Sequence, residues 1–263
     1  MDAVPWLFVE SVCLCLDRQS LRESCKILSW WGNVSFATSK KIHTLRVFVG
    51  EHEGKLYAAA RSTVDDDVPL ESVDLKFTTN FSIEPHEWVE QLSSSIWKET
   101  TLDQLQMLIN LIRPTTERRH PTRYDPESSS TLRLDNSTWI TKKLYSMRLP
   151  VDSVELSIET KKHQSAAEEF LDSTGPLYDI TFWYTYSSLK KSTVDALINK
   201  FVPVDGGFFS LGSQTRLTRD QLERLVLKCR ALSCEFGVRN HDQKKTSAGR
   251  STPSMVIYES SSS

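Results

Sequence analysis

Between residues 42 and 238 one spacing of apolar side chains keeps returning, and it limits what this chain can fold into. An apolar residue is followed by two of any kind and then by apolar positions alternating with others. The copies are Ile42-x-x-Leu45-x-Val47-x-Val49, Leu70-x-x-Val73-x-Leu75-x-Phe77, Val151-x-x-Val154-x-Leu156-x-Ile158, Leu177-x-x-Ile180-x-Phe182-x-Tyr184 and Ala231-x-x-Cys234-x-Phe236-x-Val238. A weaker copy holds Phe209 and Leu211. Alternation at period two marks a short strand with one buried face, so the pattern predicts strands at each of these places. The copies are spaced by a unit of roughly 26 to 29 residues, a length typical of stacked supersecondary repeats.

Helix signals lie between the strands. Ser165 with Glu168, Thr218 with Gln221 and Thr101 with Gln104 read as capping boxes, in which a hydroxyl and an acidic or amide side chain satisfy two end amides reciprocally. Val194, Leu197, Ile198 and Phe201 form one apolar stripe, and Leu222, Leu225, Val226 and Cys229 repeat its spacing. Pro85 is expected to open a further short helix through Trp88, Val89 and Leu92. A strand-helix alternation calls for a parallel sheet and an α/β fold class. Leu45 to Val49, a Gly54-containing turn and Leu56 to Ala58 read instead as a β-hairpin.

Two architectures fit this order: a short, irregular solenoid resembling leucine-rich repeats, and a compact α/β domain. The leucine-rich family places asparagine or cysteine after each strand, where this chain has Thr78, Glu159, Thr185 and Arg239. The pattern of units favours the solenoid over residues 41 to 239. Residues 113 to 138 are a long loop or a lost repeat, so the number of repeats between 78 and 150 stays open. Residues 240 to 263 have the polar, serine-rich composition of a disordered tail.

The first forty residues read differently, as three short helices too small to bury a core alone. Pro5 precedes a helix with Phe8, Val12, Cys15 and Leu16 along one face. Ser20 and Glu23 form a capping box for a second helix carrying Leu21, Cys25 and Leu28, ended at Gly32 after Trp30 and Trp31. A third helix is expected from Asn33 to Thr38, with Val34 and Phe36 buried.

These residues resemble the F-box family from Val4 to Trp31, without a gap. The family's opening hydrophobe-proline pair falls on Val4 and Pro5, and its further landmarks fall on Val12, Leu16 with Asp17, Leu21 and Trp31. Two positions depart from the family: its acidic residue after the proline is Leu7, and its usual opening leucine is Val4. The opening and the Trp-Gly pair look most like nematode F-box proteins, with a leucine-rich-repeat-like or F-box-associated C-terminal domain. The resemblance implies a substrate-receptor subunit of a cullin-RING ubiquitin ligase. Its N-terminal helices would dock on a Skp-type adaptor and through it a cullin, while the body holds a target protein whose identity is open. By carry-over, Val4, Pro5, Val12, Leu16, Leu21 and Trp31 are the adaptor-facing or module-packing set. The alternative is a non-ubiquitin interaction scaffold whose first helices only cap the solenoid.

Composition sets the remaining bounds. The chain of 263 residues, 39% of them hydrophobic, is long enough for one large domain and a small one. A net charge of -2 gives no electrostatic case for nucleic acid. An acidic start, Glu10 and Asp17 argue against a signal peptide or a membrane span, so the expected compartment is cytoplasmic or nuclear. Five cysteines, an odd number and three of them inside apolar helical patterns, fit free thiols of a reducing compartment.

Chemistry-bearing motifs are missing. Gly50 to Lys55 is too short for a phosphate loop and lacks the following hydroxyl residue; His86 with Glu87 lacks the second histidine of a zinc hydrolase. Cys13 and Cys15 point to different sides of a helix, and no nucleophile stands beside a base. The expectation is therefore no enzyme, no catalytic residues, no metal and no cofactor. Phe182 and Tyr184 fall on one strand face and Trp183 on the other, so Trp183 and Tyr186 are target-binding candidates unless both faces are packed.

Overall fold

The computed structural model describes residues 4–50, 54–63, 66–112, 120–135, 139–158, 160–184, 189–212, 215–229 and 235–239. The chain is mixed α/β and forms two compact units, residues 1–120 with 125–131 and residues 121–124 with 132–263. The three N-terminal helices thus share a unit with the first strands, whereas the sequence places a boundary at residue 40. The tail assigned to residues 240 to 263 lies outside the described residues.

The first unit begins with α1 (Trp6–Cys13), α2 (Arg18–Ser24) and α3 (Trp30–Ser39). Val9, Cys13, Leu21, Val34 and Ile42 form its buried cluster, so the helices close over the residue that leads into the first strand. Two expected helix signals are corrected here. Ser20 does not start α2: Asp17 is the N-cap, accepting from the Ser20 amide at 2.8 Å and its hydroxyl at 2.6 Å. A carboxylate is the stronger acceptor for an end amide, and it draws the serine in. Gly32 does not end a helix but lies inside α3.

Strands β1 (His43–Gly50), β2 (Leu56–Ser62), β3 (Asp67–Val68), β4 (Thr78–His86) and β5 (Lys98–Thr100) follow, then α4 (Leu102–Leu111). The expected hairpin is β1 with β2, antiparallel, and β1 pairs with β4 in parallel on its other side. β3 and β5 both pair with β2. Leu45, Val47, Ala58, Ala60, Phe81 and Ile83 share the buried face, as period-two alternation demands. Thr101 and Gln104 cap α4 in the predicted box.

The strand expected from Leu70 to Phe77 is absent. Pro69 leads into a 3-10 turn, Leu70–Ser72, and Asp74 caps a second, Leu75–Phe77, by accepting from the Lys76 amide. This local side-chain bond competes with a ladder, and the strand starts only at Thr78. Pro85 lies inside β4 rather than opening a helix, and the helical turn beyond it shrinks to Val89–Gln91.

The second unit repeats one plan: β6 (Thr131–Leu134), α5 (Trp139–Ser146), β7 (Ser153–Ile158), α6 (Lys161–Ser173), β8 (Asp179–Tyr184), α7 (Lys191–Lys200), β9 (Phe208–Gly212), α8 (Arg219–Cys229), β10 (Glu235–Arg239). Here the strands stand side by side in chain order, and β7 with β8, β8 with β9 and β9 with β10 are parallel. One register column runs Val154, Ile180, Phe209, Phe236 and the next Leu156, Phe182, Leu211, Val238, the apolar positions of the repeated motif. Consecutive helices from α5 to α8 pack on one another. β6 falls within residues 113 to 138, the stretch left open between loop and lost repeat, and α5 follows directly after it.

Among the helix starts, Thr218 and Gln221 exchange their predicted bonds at 3.3 and 3.0 Å. Ser165 is instead interior to α6, whose N-cap is Thr160, because Glu168 is engaged by the next helix rather than by Ser165. Val194, Leu197, Ile198 and Phe201 are all buried, whereas only Leu225 of the matching α8 stripe is.

Candidate docking surface

The N-terminal helices carry apolar side chains on two sides. The inner side is the cluster of Val9, Cys13, Leu21, Val34 and Ile42, with Val4, Leu14, Leu16, Trp30 and Trp31 packed against it at partial exposure. Burial pushes the Cys13 thiol up, with the bond it donates to Ser35 at 3.4 Å acting the other way. It is a packing residue rather than a nucleophile.

Most of the carried-over F-box positions face inward. Leu21 is fully buried, Val4, Leu16 and Trp31 are half-buried against the core, and Val12 is half-buried on α1. Pro5 alone of the six is exposed, and its carbonyl accepts from the Phe8 and Val9 amides to start α1.

Helical spacing in the sequence does not reveal the outer side. Leu7 (72% exposed), Phe8 (55%), Ile27, Leu28 (103%) and Phe36 (52%) project from the module into solvent, with Trp6 set edge-on against Trp30 at 6.2 Å. Phe8, Leu28 and Phe36 are corrections, since helical spacing assigns all three to a buried face. α1 is too short and too apolar for spacing to choose a side: the set Phe8, Val12, Cys15 and the set Val9, Cys13 both fit one helical face. The fold buries the second, with Val9 and Cys13 both inaccessible to solvent. Lys40 lies 4.1 Å from the Phe36 ring centre, and Lys41 pairs with Glu10 at 3.3 Å, so cations border this surface.

Ile27 and Leu28 ride on the connection between α2 and α3. That connection lies directly over Gly32, where a Cβ would meet the Ile27 carbonyl oxygen at 2.0 Å. Only glycine lets the two backbones approach so closely.

In the second unit, Trp183 lies on β8 opposite Ser157 of β7, half-exposed, while its neighbour Phe182 is fully buried. Its face also carries Glu155, which sits 3.8 Å from Arg133, and the half-exposed Thr181. Tyr186 lies outside the described residues.

Among the described residues no group of His, Cys, Asp or Glu is placed to hold a metal ion, and no helix is long and apolar enough to cross a membrane. His86 closes β4 and accepts from the Trp88 amide at 3.1 Å, so the pair with Glu87 does not start a helix. Gly50 and Lys55 face each other across the β1–β2 hairpin. No family model, no curated protein and no solved structure matches this chain.

Proposed function

We propose that the chain is a substrate-receptor subunit of a cullin-RING ubiquitin ligase, docking on a Skp-type adaptor through its N-terminal helices. The observation that carries the reading is the exposed set Leu7, Phe8, Ile27, Leu28 and Phe36 on a module whose own core is already filled. Large apolar side chains left in water on a small helical module mark a protein-binding surface. The resemblance of residues 4 to 31 to the F-box supplies the identity of the partner.

In this reading the second unit is a short strand-helix solenoid that presents its strand face, with Trp183, to the target. The receptor contributes proximity: it raises the local concentration of target lysines at the ubiquitin-loaded enzyme and does no bond chemistry itself. The scaffold alternative draws on Ile42, which the helices cover. Capping accounts for the inner face of the module and leaves the outer face without a role.

Deleting residues 1 to 38 is a poor test, because it would strip Ile42 of its cover. Full-length chain co-expressed with a Skp-type adaptor should instead form a complex that Phe8→Asp, Leu28→Asp and Phe36→Asp together abolish while thermal unfolding stays unchanged. A wild-type chain that fails to bind, or a folded triple variant that binds as well as wild type, overturns the reading.

A further inference from the structure

Away from the helices' outer face, the first unit holds a polar cavity of about 260 Å³. Its floor is the sheet face opposite the core, where Thr44 of β1 stands in register with Arg61 of β2 and Asn80 of β4. Residues 125 to 131 form part of the wall. Asn80 Nδ2 donates to the Glu127 and Ser129 carbonyls at 3.1 Å each, and the Thr131 hydroxyl donates to Ser82 at 3.1 Å. Arg18, first residue of α2, holds this segment through its amide, which donates to Asp125 at 3.0 Å and to Ser128 at 2.7 Å.

The Arg18 side chain also lines the cavity, and its situation is unusual. The residue is 5% exposed, yet its side-chain bonds go only to neutral acceptors, Thr44 Oγ1 at 3.3 Å and Asn80 Oδ1 at 3.4 Å. Among the described residues no carboxylate lies within ion-pair distance of its guanidinium. Arg46, on the same face, is placed differently: it pairs with Glu84 at 2.7 Å and with Asp67 at 3.3 Å. Removing a guanidinium from water without a counter-charge is costly. Burial pulls the Arg18 pKa down to about 10, and the more distant Asp125 and Glu127 only partly offset this.

We propose that this cavity binds a small phosphate monoester, its dianion held by the Arg18 guanidinium, by the Ser82 hydroxyl and, once turned from their present acceptors, the Asp125 carbonyl and Ser82, by the hydroxyls of Ser129 and Thr131. The donors come from two strands, a helix and the covering segment, an arrangement suited to a tetrahedral oxyanion more than to a planar carboxylate. The volume sits below the common range of about 300–1,000 Å³ for ligand pockets, which leaves room for a few-carbon group and not for a nucleotide. Glu84 and Glu127, also in the lining, would accept from hydroxyls of that group.

The test titrates full-length chain with inorganic phosphate, with glycerol 3-phosphate and with a phosphoserine peptide, at constant ionic strength, by ³¹P NMR and thermal shift. Both small ligands should bind saturably and raise the melting temperature, glycerol 3-phosphate the more tightly. Arg18→Met should weaken both by about tenfold or more, the scale of one charge-assisted contact. Should that variant unfold, Thr44→Asp serves instead: it places a carboxylate where Oγ1 now meets Arg18, and should cut phosphate binding by a similar factor in a folded chain. No saturable binding to wild type, or undiminished binding to a folded variant, overturns the proposal. A phosphoserine peptide that binds better than glycerol 3-phosphate overturns the assignment to a small molecule.

Discussion

Gly32 and Ile27 are packed backbone to backbone: a Cβ on the glycine would lie 2.0 Å from the isoleucine carbonyl oxygen and 3.0 Å from its carbon. The obstacle is main chain, which has no rotamer to yield. Gly32→Ala must therefore push the α2–α3 connection off α3 or distort the helix. We expect a loss of about 2 kcal/mol or more in urea unfolding, at the upper end of overpacking costs, even though alanine is the better helix former. Because the displaced connection carries Ile27 and Leu28, adaptor binding should fall with it. Unchanged stability in Gly32→Ala would mean the two backbones are not in contact.

Leu21 and Leu28 share one helical stripe in the sequence and have opposite fates in the fold. Leu21 is 1% exposed in the helical core, and Leu28 is fully exposed beyond the end of α2. Leu21→Ala should cost about 2–5 kcal/mol through lost burial and the cavity left behind. Leu28→Ala should stay within about 0.5 kcal/mol on unfolding, as surface changes do. In the co-expression assay the order reverses, with Leu28→Ala the variant that weakens the complex in a fully folded chain.

That reversal shows where the sequence is readable. Strands β7 and β8 announce themselves because one face is buried and the other half-exposed, which period-two alternation records; β1 and β9 keep the apolar alternation although Phe48 and Ser210 on the other face are buried too. The caps at Thr101 and Thr218 are readable because the partners are three residues apart. The helical module is harder, since its outer side is apolar too and spacing alone offers two faces for α1. Leu70 to Phe77 has the strand spacing but not the strand, because Asp74 and Pro69 act on the backbone without changing the apolar pattern. β6 has only Leu132 and Leu134 buried, too few to register as a repeat. The Arg18 cavity depends on a contact with Asp125 at a separation of 107 residues, which no local pattern carries.

Lys200 and Lys228 make the same bond one repeat apart, and this offers a test of the strand-helix unit. Lys200 Nζ, at the end of α7, donates to the Asp172 and Thr174 carbonyls at the end of α6. Lys228 Nζ, near the end of α8, donates to the Ile198, Asn199 and Phe201 carbonyls at the end of α7. Each lysine closes the preceding helix, satisfying carbonyls that have no partner within it and complementing its dipole. Lys200→Met and Lys228→Met keep the aliphatic stem, so unfolding should report the lost cap alone. We expect about 1–2 kcal/mol for each, of similar size, since surface solvent replaces part of every bond.

A second polar clasp recurs at the other end of these helices, and its titration has a definite sign. Glu168 of α6 accepts from Thr193 at 2.7 Å and pairs with Lys190 at 3.1 Å, and Asp195 of α7 accepts from Gln221 at 3.2 Å and pairs with Arg224 at 2.7 Å. Partial burial pushes the Glu168 carboxyl up, but the bonds from Thr193, Gln164 and Lys190 outweigh it and hold the group below its ordinary value of 4.5. Asp195 is likewise held low, by the bonds from Gln221 and Arg224. A pKa lower in the folded than in the unfolded chain means that the unfolded chain binds more protons in the interval between them, so stability rises with pH there. The contribution of each carboxylate is therefore complete above its unfolded value and lost as pH falls through the folded one. Glu168→Gln should be less stable than wild type at pH 7, and the difference should shrink steadily as urea unfolding is repeated at pH values descending below 4.5. A difference that stays constant across that range would mean Glu168 acts through its shape and not its charge.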